Sequence, residues 1–278
     1  MEVLTLVHGR RPHLENLIRG LERSTVLPDA LIIVQMNEEP EQWSGYRFPV
    51  ISHVVRDVND RLPLASARNA AVERALGDNL IFLDVDCIPS RQLVERYRDR
   101  LRAKEPVLLQ GAVSYLPAGA VRDGWSEEQL DRLGSLHHVQ KGRRPDDDIP
   151  YQLFWSLNFA CSRRTFESIS GFDARYVGYG GEDTDFAFRA RRSSVPVQAV
   201  SALAFHQYHP TFSPPLNHFA SIVANSERFY EVWGEWPMGG WLAEFAAAGY
   251  LRIDRARLAV LRVPTDEEIL ACLSSVTS

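Results

Sequence analysis

The run Leu80-Ile81-Phe82-Leu83-Asp84-Val85-Asp86 decides the fold. Its four consecutive apolar residues show no alternation, so they read as a strand buried on both faces. Such a strand belongs to a sheet covered by helices above and below. Ligands of these sheets bind beyond the carboxyl ends of the strands, where Asp84 and Asp86 stand. Two carboxylates exposed together at a strand end repel each other without a cation. Hard divalent ions such as Mg²⁺ and Mn²⁺ prefer carboxylate and phosphate oxygens. The plainer reading is an acidic turn capping the helix that follows; with 36 acids in 278 residues, several such pairs arise by chance.

Toward the N-terminus the pattern repeats. Val3–Val7 reads as a strand and His8-Gly9-Arg10-Arg11 as a loop. Pro12 suits the first position of a helix whose Leu14, Leu17, Ile18 and Leu21 fall at i, i+3, i+4 and i+7. Leu31–Val34 and Val50–Val55 are further strands, and Leu64–Leu76 is a helix that Gly77 should stop. The small residues Ala65, Ser66, Ala67, Ala70 and Ala71 allow a strand or ligand to approach that helix closely. The expected fold class is therefore α/β, with a mostly parallel central sheet and helices on both faces.

Toward the C-terminus, Ser90 can cap a helix carrying Leu93, Val94, Tyr97 and Leu101, and Val107–Val113 reads as a strand. Residues 115–150 read as irregular, apart from a capping box at Ser126 and the charged run KGRRPDDD at 141–148. That run is either a mobile functional loop or a solvated surface excursion. A strand over Leu153–Cys161, a short helix over Arg163–Ser170 and a strand over Val195–Phe205 follow. After Pro214-Pro215 come a helix over Leu216–Trp233, a turn at Trp236-Pro237 with Gly239-Gly240, and a terminal helix opened by a capping box at Thr265. The chain divides into a main domain, residues 1–214, and a helical extension packed on it, residues 215–278.

Composition narrows the function. Apolar residues make up 45% and charged residues 24%, as in ordinary globular proteins, and a net charge of −5 leaves no basic face for nucleic acid. No apolar run reaches the ~18 residues of a membrane span. The start reads as a strand rather than a signal peptide, and three scattered cysteines suit reduced thiols in a cytoplasm. The aromatics of Leu216–Trp241 are compatible with work at the inner membrane face and equally with core packing.

Two further stretches carry chemistry. Gly171–Arg189, GFDARYVGYGGEDTDFAFR, joins aromatics, adjacent glycines and acids. Gly180-Gly181 reads as a tight turn into a helix, with Glu182 and Asp183 in its first turn, where the dipole favours anions. That is a common helix-start pattern, but Asp185, Tyr176 and Tyr179 raise its density toward a sugar site, with apolar faces for a ring and acceptors for hydroxyls. His206 and His209 stand three apart at a strand end before Pro210. On a turn they would share one face and one metal; along a strand they would diverge.

Ile169-Ser170-Gly171-Phe172-Asp173 through Tyr179-Gly180-Gly181-Glu182-Asp183-Thr184-Asp185 resembles the GF…W-GGEDxD signature of the β-1,4-galactosyltransferases and of the family 2 bacterial glycosyltransferases that share it. Ala67-Arg68-Asn69-Ala70-Ala71 followed by Phe82–Asp86 is similar to the ARN…DxD pattern of GT-A enzymes. The resemblance spans about Val3 to His209 and implies a nucleotide-diphospho-sugar transferase fold. It implies that Asp86, assisted by Asp84, holds Mn²⁺ or Mg²⁺ on the diphosphate of a UDP-sugar donor. A Met-x-x-His segment completes the metal shell in the galactosyltransferases; here His206 stands in place of Met, so either His206 or His209 is the ligand. The resemblance further implies Asp183 as general base, Glu182 on a sugar hydroxyl, Arg68 and Gly181 near the donor, and Val7, Gly9 and Asn37 near the uracil. Gln35-Met36-Asn37-Glu38 replaces the usual Asp-rich segment, and Tyr179 replaces the Trp of the galactosyltransferases.

The function so implied is inverting transfer of galactose or an N-acetylhexosamine to an acceptor hydroxyl; the sequence leaves the acceptor open among a glycan, a lipid-linked sugar, a small molecule and a protein. Three activities compete with it. A sugar-1-phosphate nucleotidyltransferase would carry a Gly-rich loop after the first strand, whereas His8–Arg11 has a single glycine. A non-catalytic carbohydrate-binding protein would share the fold without turnover. A retaining transferase of the same fold would use similar metal ligands and give the opposite anomer.

Overall fold

The computed structural model describes residues 1–274. It begins β1 (Glu2–Val7), α1 (Arg11–Glu22), β2 (Leu31–Met36), β3 (Val50–Val55), α2 (Leu64–Arg74), β4 (Asn79–Leu83), β5 (Cys87–Pro89), α3 (Leu93–Leu101), β6 (Leu108–Tyr115), α4 (Glu127–Leu133) and β7 (Ser135–Leu136). It continues β8 (Asn158–Ser162), α5 (Arg163–Ser168), α6 (Glu182–Arg192), β9 (Val197–His206), β10 (Thr211–Phe212), α7 (Phe219–Trp233), α8 (Gly239–Ala247), β11 (Leu251–Asp254), β12 (Arg257–Val260), α9 (Asp266–Ala271) and β13 (Leu273–Ser274).

The main sheet has the order β3-β2-β1-β4-β8-β6-β9-β5, with β7 beside β6. The first four strands are parallel, as their continuous apolar runs require. Beyond β4 the sheet is mixed rather than mostly parallel: β8 runs antiparallel to β4 and β6, β6 is parallel to β9, and β5 is antiparallel to β9. Successive residues of β4 face opposite sides. Leu80 and Phe82 pack with α2 and α6, while Ile81 and Leu83 pack with α1 and α3. Phe82 stacks on Phe159 at 4.3 Å, and Phe172 stacks on Phe186 at 4.2 Å. Phe172 also meets Phe82 at 6.4 Å and Phe186 meets Phe159 at 5.9 Å, so these rings moor the Gly171-Phe172 segment to β4, which leads to Asp84, and α6 to β8.

Several local expectations change. Helix α2 ends at Arg74, with Ala75 already extended, so Gly77 does not stop it; the Gly77 amide instead donates to Glu2 Oε2 at 2.6 Å. Ser90 gives no side-chain cap to α3, whose flanking residue is Gln92. The strand expected from Leu153 begins only at Asn158, after a 3-10 turn at Tyr151–Leu153. Gly239 and Gly240 open α8 instead of forming a turn. Residues 115–150 hold α4 and β7, and the charged run is partly tied to the sheet: Asp146 and Ile149 donate to the Ala199 and Val197 carbonyls of β9.

Residues 216–274 surround their own cluster of Leu216, Phe219, Ile222, Leu242, Phe245 and Leu251, and include the β11–β12 hairpin besides helices. Among the described residues no helix is long and apolar enough to cross a membrane.

Candidate active site

Strand pairing brings the distant motifs together. β5 runs antiparallel to β9 with Cys87 opposite His206, so Asp86 meets the turn that follows β9; the Gln207 amide donates to the Asp86 carbonyl at 2.7 Å. The buried Gln207 side chain pins that turn on α1, donating to His13 O at 3.0 Å and accepting from Asn16 Nδ2 at 2.9 Å. Both histidines therefore converge. His209 Nε2 lies 3.2 Å and His206 Nε2 3.6 Å from Asp86 Oδ2. Asp86, His206 and His209 each offer a ligand atom, all within 4.8 Å of one another.

The donor set fits a divalent cation. Among the described residues the buried Asp86 Oδ1 has no hydrogen-bond partner, an uncompensated acceptor beside two imidazoles. Burial would raise the Asp86 carboxyl, but His209, Arg10 and His206 together hold it well below the usual carboxylate range. Burial pushes His206 down to about 4, against the pull of Asp86, leaving the neutral imidazole that ligates metals. Two nitrogens and a carboxylate suit Mn²⁺ at least as well as Mg²⁺, which favours oxygen alone.

Arg10, which belongs to none of the sequence motifs, pairs with Asp86 through Nη1. A cation just past the first strand, next to a glycine, was the available signal. Tyr115, at the end of β6, also joins the site with its ring 4.8 Å from His206.

Arg68 links the acidic motifs. It is 5% exposed; Nη1 donates to Glu182 Oε1 at 3.1 Å, and Nη2 lies 3.7 Å from Asp84 Oδ1. Burial pushes Asp84 up to about 6, opposed by Arg68 and reinforced by Asp86 and Glu182. Gly181 caps α6 at φ +89°, a left-handed conformation that glycine adopts without steric cost. Glu182 and Asp183 follow in the first turn, and Asp183 Oδ1 accepts from the Thr184 amide at 2.7 Å. Burial, then the neighbouring Glu182 charge, pushes Asp183 up to about 7. Asp185 takes no part in this cluster. It is fully buried and accepts from Arg189 Nε of its own helix at 2.6 Å and from Trp233 Nε1 at 2.9 Å, the second bond fastening α6 to α7.

A cleft of about 500 Å³ opens beside Arg10, lined by Val7, Gly9, Gln35, Glu38 and Glu41 among others. The Gly9 amide donates to Glu38 Oε1 at 2.5 Å. The Asn37 side chain is committed to the backbone, donating to Arg61 O at 2.9 Å and accepting from the Asp57 amide at 2.8 Å.

Comparison with known proteins defines the class. Solved structures of similar shape include S. aureus TarS in complex with UDP-GlcNAc, with a TM-score of 0.53 and 10% identity over 82% of this chain and 66% of that one. They also include GalNAc-T7 with UDP, GalNAc and Mn²⁺, with a TM-score of 0.51 and 14% identity over 75% of this chain and 43% of that one. The fold is that of the GT-A glycosyltransferases. Within that class the chain belongs to glycosyl transferase family 2, whose profile matches residues 4–167. Residues 137–212 match a second profile, described as the N-terminal domain of galactosyltransferase. Among curated relatives, a validoxylamine A glucosyltransferase of Streptomyces hygroscopicus subsp. limoneus is 25% identical over 82% of this chain and 56% of its own length. The chain spans about half the length of the two Streptomyces relatives it matches.

Proposed function

We propose that this chain is a metal-dependent, inverting glycosyltransferase that moves a hexosyl or N-acetylhexosaminyl unit from a UDP-sugar to an acceptor hydroxyl. The observation that carries this reading is the convergence of His206 and His209 on Asp86, whose other oxygen has no partner among the described residues, with Arg68 joining Asp84 to Glu182 beside them. Residues 1–214 serve as the transferase domain and residues 215 onward as its extension.

A divalent cation held by Asp86, His206 and His209 would neutralise the leaving nucleoside diphosphate. Arg10 borders the 500 Å³ cleft on the same side and adds a positive charge toward a diphosphate seated there. Asp183 is the general base: its carboxyl, raised to about 7, is basic enough to take a hydroxyl proton and is still ionised in a large fraction near neutrality. Glu182, paired with Arg68 at 3.1 Å, accepts from a sugar hydroxyl. Tyr179, ring-stacked on His218 at 4.4 Å and flanked by Trp241 at 5.8 Å, offers an aromatic wall beside Asp183 for the acceptor.

The test is a donor screen. Purified protein is mixed with UDP-, GDP- and dTDP-sugars, with and without Mn²⁺, following thermal stabilisation and nucleoside-diphosphate release. Mn²⁺-dependent stabilisation by a UDP-sugar with slow UDP release is the expected result. Silence toward every donor in both conditions overturns the reading, and retention of anomeric configuration in the product overturns the single displacement.

A further inference from the structure

Helix α7 lies beyond both matched ranges, 4–167 and 137–212, yet one of its faces is spent on the loop that precedes Asp183. Ser221, Asn225 and Arg228 recur at i, i+4 and i+7 and so share that face. Arg228 Nη2 donates to Asp173 Oδ2 at 2.9 Å, and its guanidinium lies over the Tyr176 ring at 5.5 Å. Ser221 meets Gly178 so closely that a Cβ there would stand 2.6 Å from the serine Cβ. Between them Asn225, 4% exposed, points its amide nitrogen at three carbonyls: Gly180 at 2.8 Å, Val177 at 3.3 Å and Tyr179 at 3.4 Å.

These carbonyls belong to the turn whose last residue, Gly181, caps α6. A buried amide directed at carbonyls of the loop fixes the direction in which the loop enters the helix, and hence the first-turn side chains. We propose that Asn225 is a positioning residue for Asp183, so that α7 is a working part of the transfer site and not merely its neighbour. This inference rests on the reading of Asp183 as general base. Gly178 of this turn accordingly serves close approach of the chain's own α7, and Gly180 that of Met238 ahead of α8, in addition to any approach of a substrate.

The experiment compares Asn225→Ala, Asn225→Asp, Phe229→Leu and Asp183→Asn in the full chain. Phe229 lies on the same helix, is 1% exposed and packs on Phe188, so its truncation reports the stability role of α7 without touching the loop carbonyls. Binding of UDP with MnCl₂ is measured by calorimetry, and UDP release from the donor found in the screen is followed across pH. Both Asn225 variants should bind UDP–Mn²⁺ like wild type while turnover falls about 10- to 100-fold, the scale of a misplaced catalytic group. The acid limb of the Asn225→Asp profile should move to higher pH, because a second carboxylate now faces the loop. Phe229→Leu should lose stability and keep turnover. Wild-type turnover in both Asn225 variants, or an equal loss in Phe229→Leu at matched stability, overturns the proposal. An active Asp183→Asn overturns the base assignment itself; an inactive Asp183→Asn beside fully active Asn225 variants removes the clamp alone.

Discussion

The guanidinium of Arg68 donates to Glu182 across 114 residues of sequence, 3.1 Å from Oε1, and its other nitrogen faces Asp84 at 3.7 Å. One buried cation thus ties the strand-end acids to the first turn of α6. Its removal leaves two carboxylates close together in a poorly solvated place. Arg68→Met should cost about 3–5 kcal/mol of stability in urea unfolding, the range for breaking a buried pair from one side. Arg68→Met/Glu182→Gln should recover part of that loss. A single variant within about 1 kcal/mol of wild type would show that the bridge is dispensable.

Asp86 supplies the carboxylate on which both histidines converge. Asp86→Ala should abolish Mn²⁺ binding in calorimetry, and His206→Ala or His209→Ala should each weaken it by at least ~10-fold. If one histidine variant binds Mn²⁺ like wild type, that imidazole is not a ligand.

Turnover should rise with pH through the Asp183 value of about 7, because only the ionised carboxylate accepts a proton. Asp183→Asn should lower turnover at least ~10²-fold, with donor binding retained. The sign for stability is opposite to the usual carboxylate case. A folded pKa raised above the unfolded value of ~3.9 means that the native state holds the proton more tightly. Stability therefore falls as pH rises from about 4 to 7. Asp183→Asn should raise the melting temperature at pH 8 and leave it unchanged at pH 3; equal shifts at both would refute the raised value.

Gly178 holds φ +80° directly beneath Ser221. Gly178→Ala incurs both the left-handed backbone and the 2.6 Å approach, and should lose about 1–3 kcal/mol. Ser221→Gly added to it should return only the contact part. Unchanged denaturant midpoints would mean that neither the left-handed backbone nor the contact with α7 constrains this position.

Much of the candidate site's local structure was legible in the sequence. The apolar run ending at Asp84 needed only its lack of alternation to be read as a doubly buried strand. Gly181 followed by Glu182 and Asp183 marked a helix start because a left-handed turn and a dipole-favoured acid pair are local preferences. The capping box at Thr265 formed reciprocally, since both its bonds lie within one turn. Where local signals misled, a neighbour prevailed. Helix α2 ends at Arg74, and the Gly77 amide binds Glu2 instead of closing a helix end. Asp185, two residues on from Asp183, was drawn into a buried bond with Trp233 of α7.

The sequence by itself determined which residues could do chemistry and on which kind of element each would sit, because strand periodicity, glycine conformation and helix-end electrostatics act over a few residues. Only the tertiary structure decided which of them meet. The β5–β9 pairing brings both histidines to Asp86. The path of β1 into α1 delivers Arg10 to the same carboxylate. The face of α7 turns Asn225 onto the loop before Asp183. Each of these contacts joins segments that exert no force on one another until the sheet and its helices have closed around the core, so no local preference encodes them.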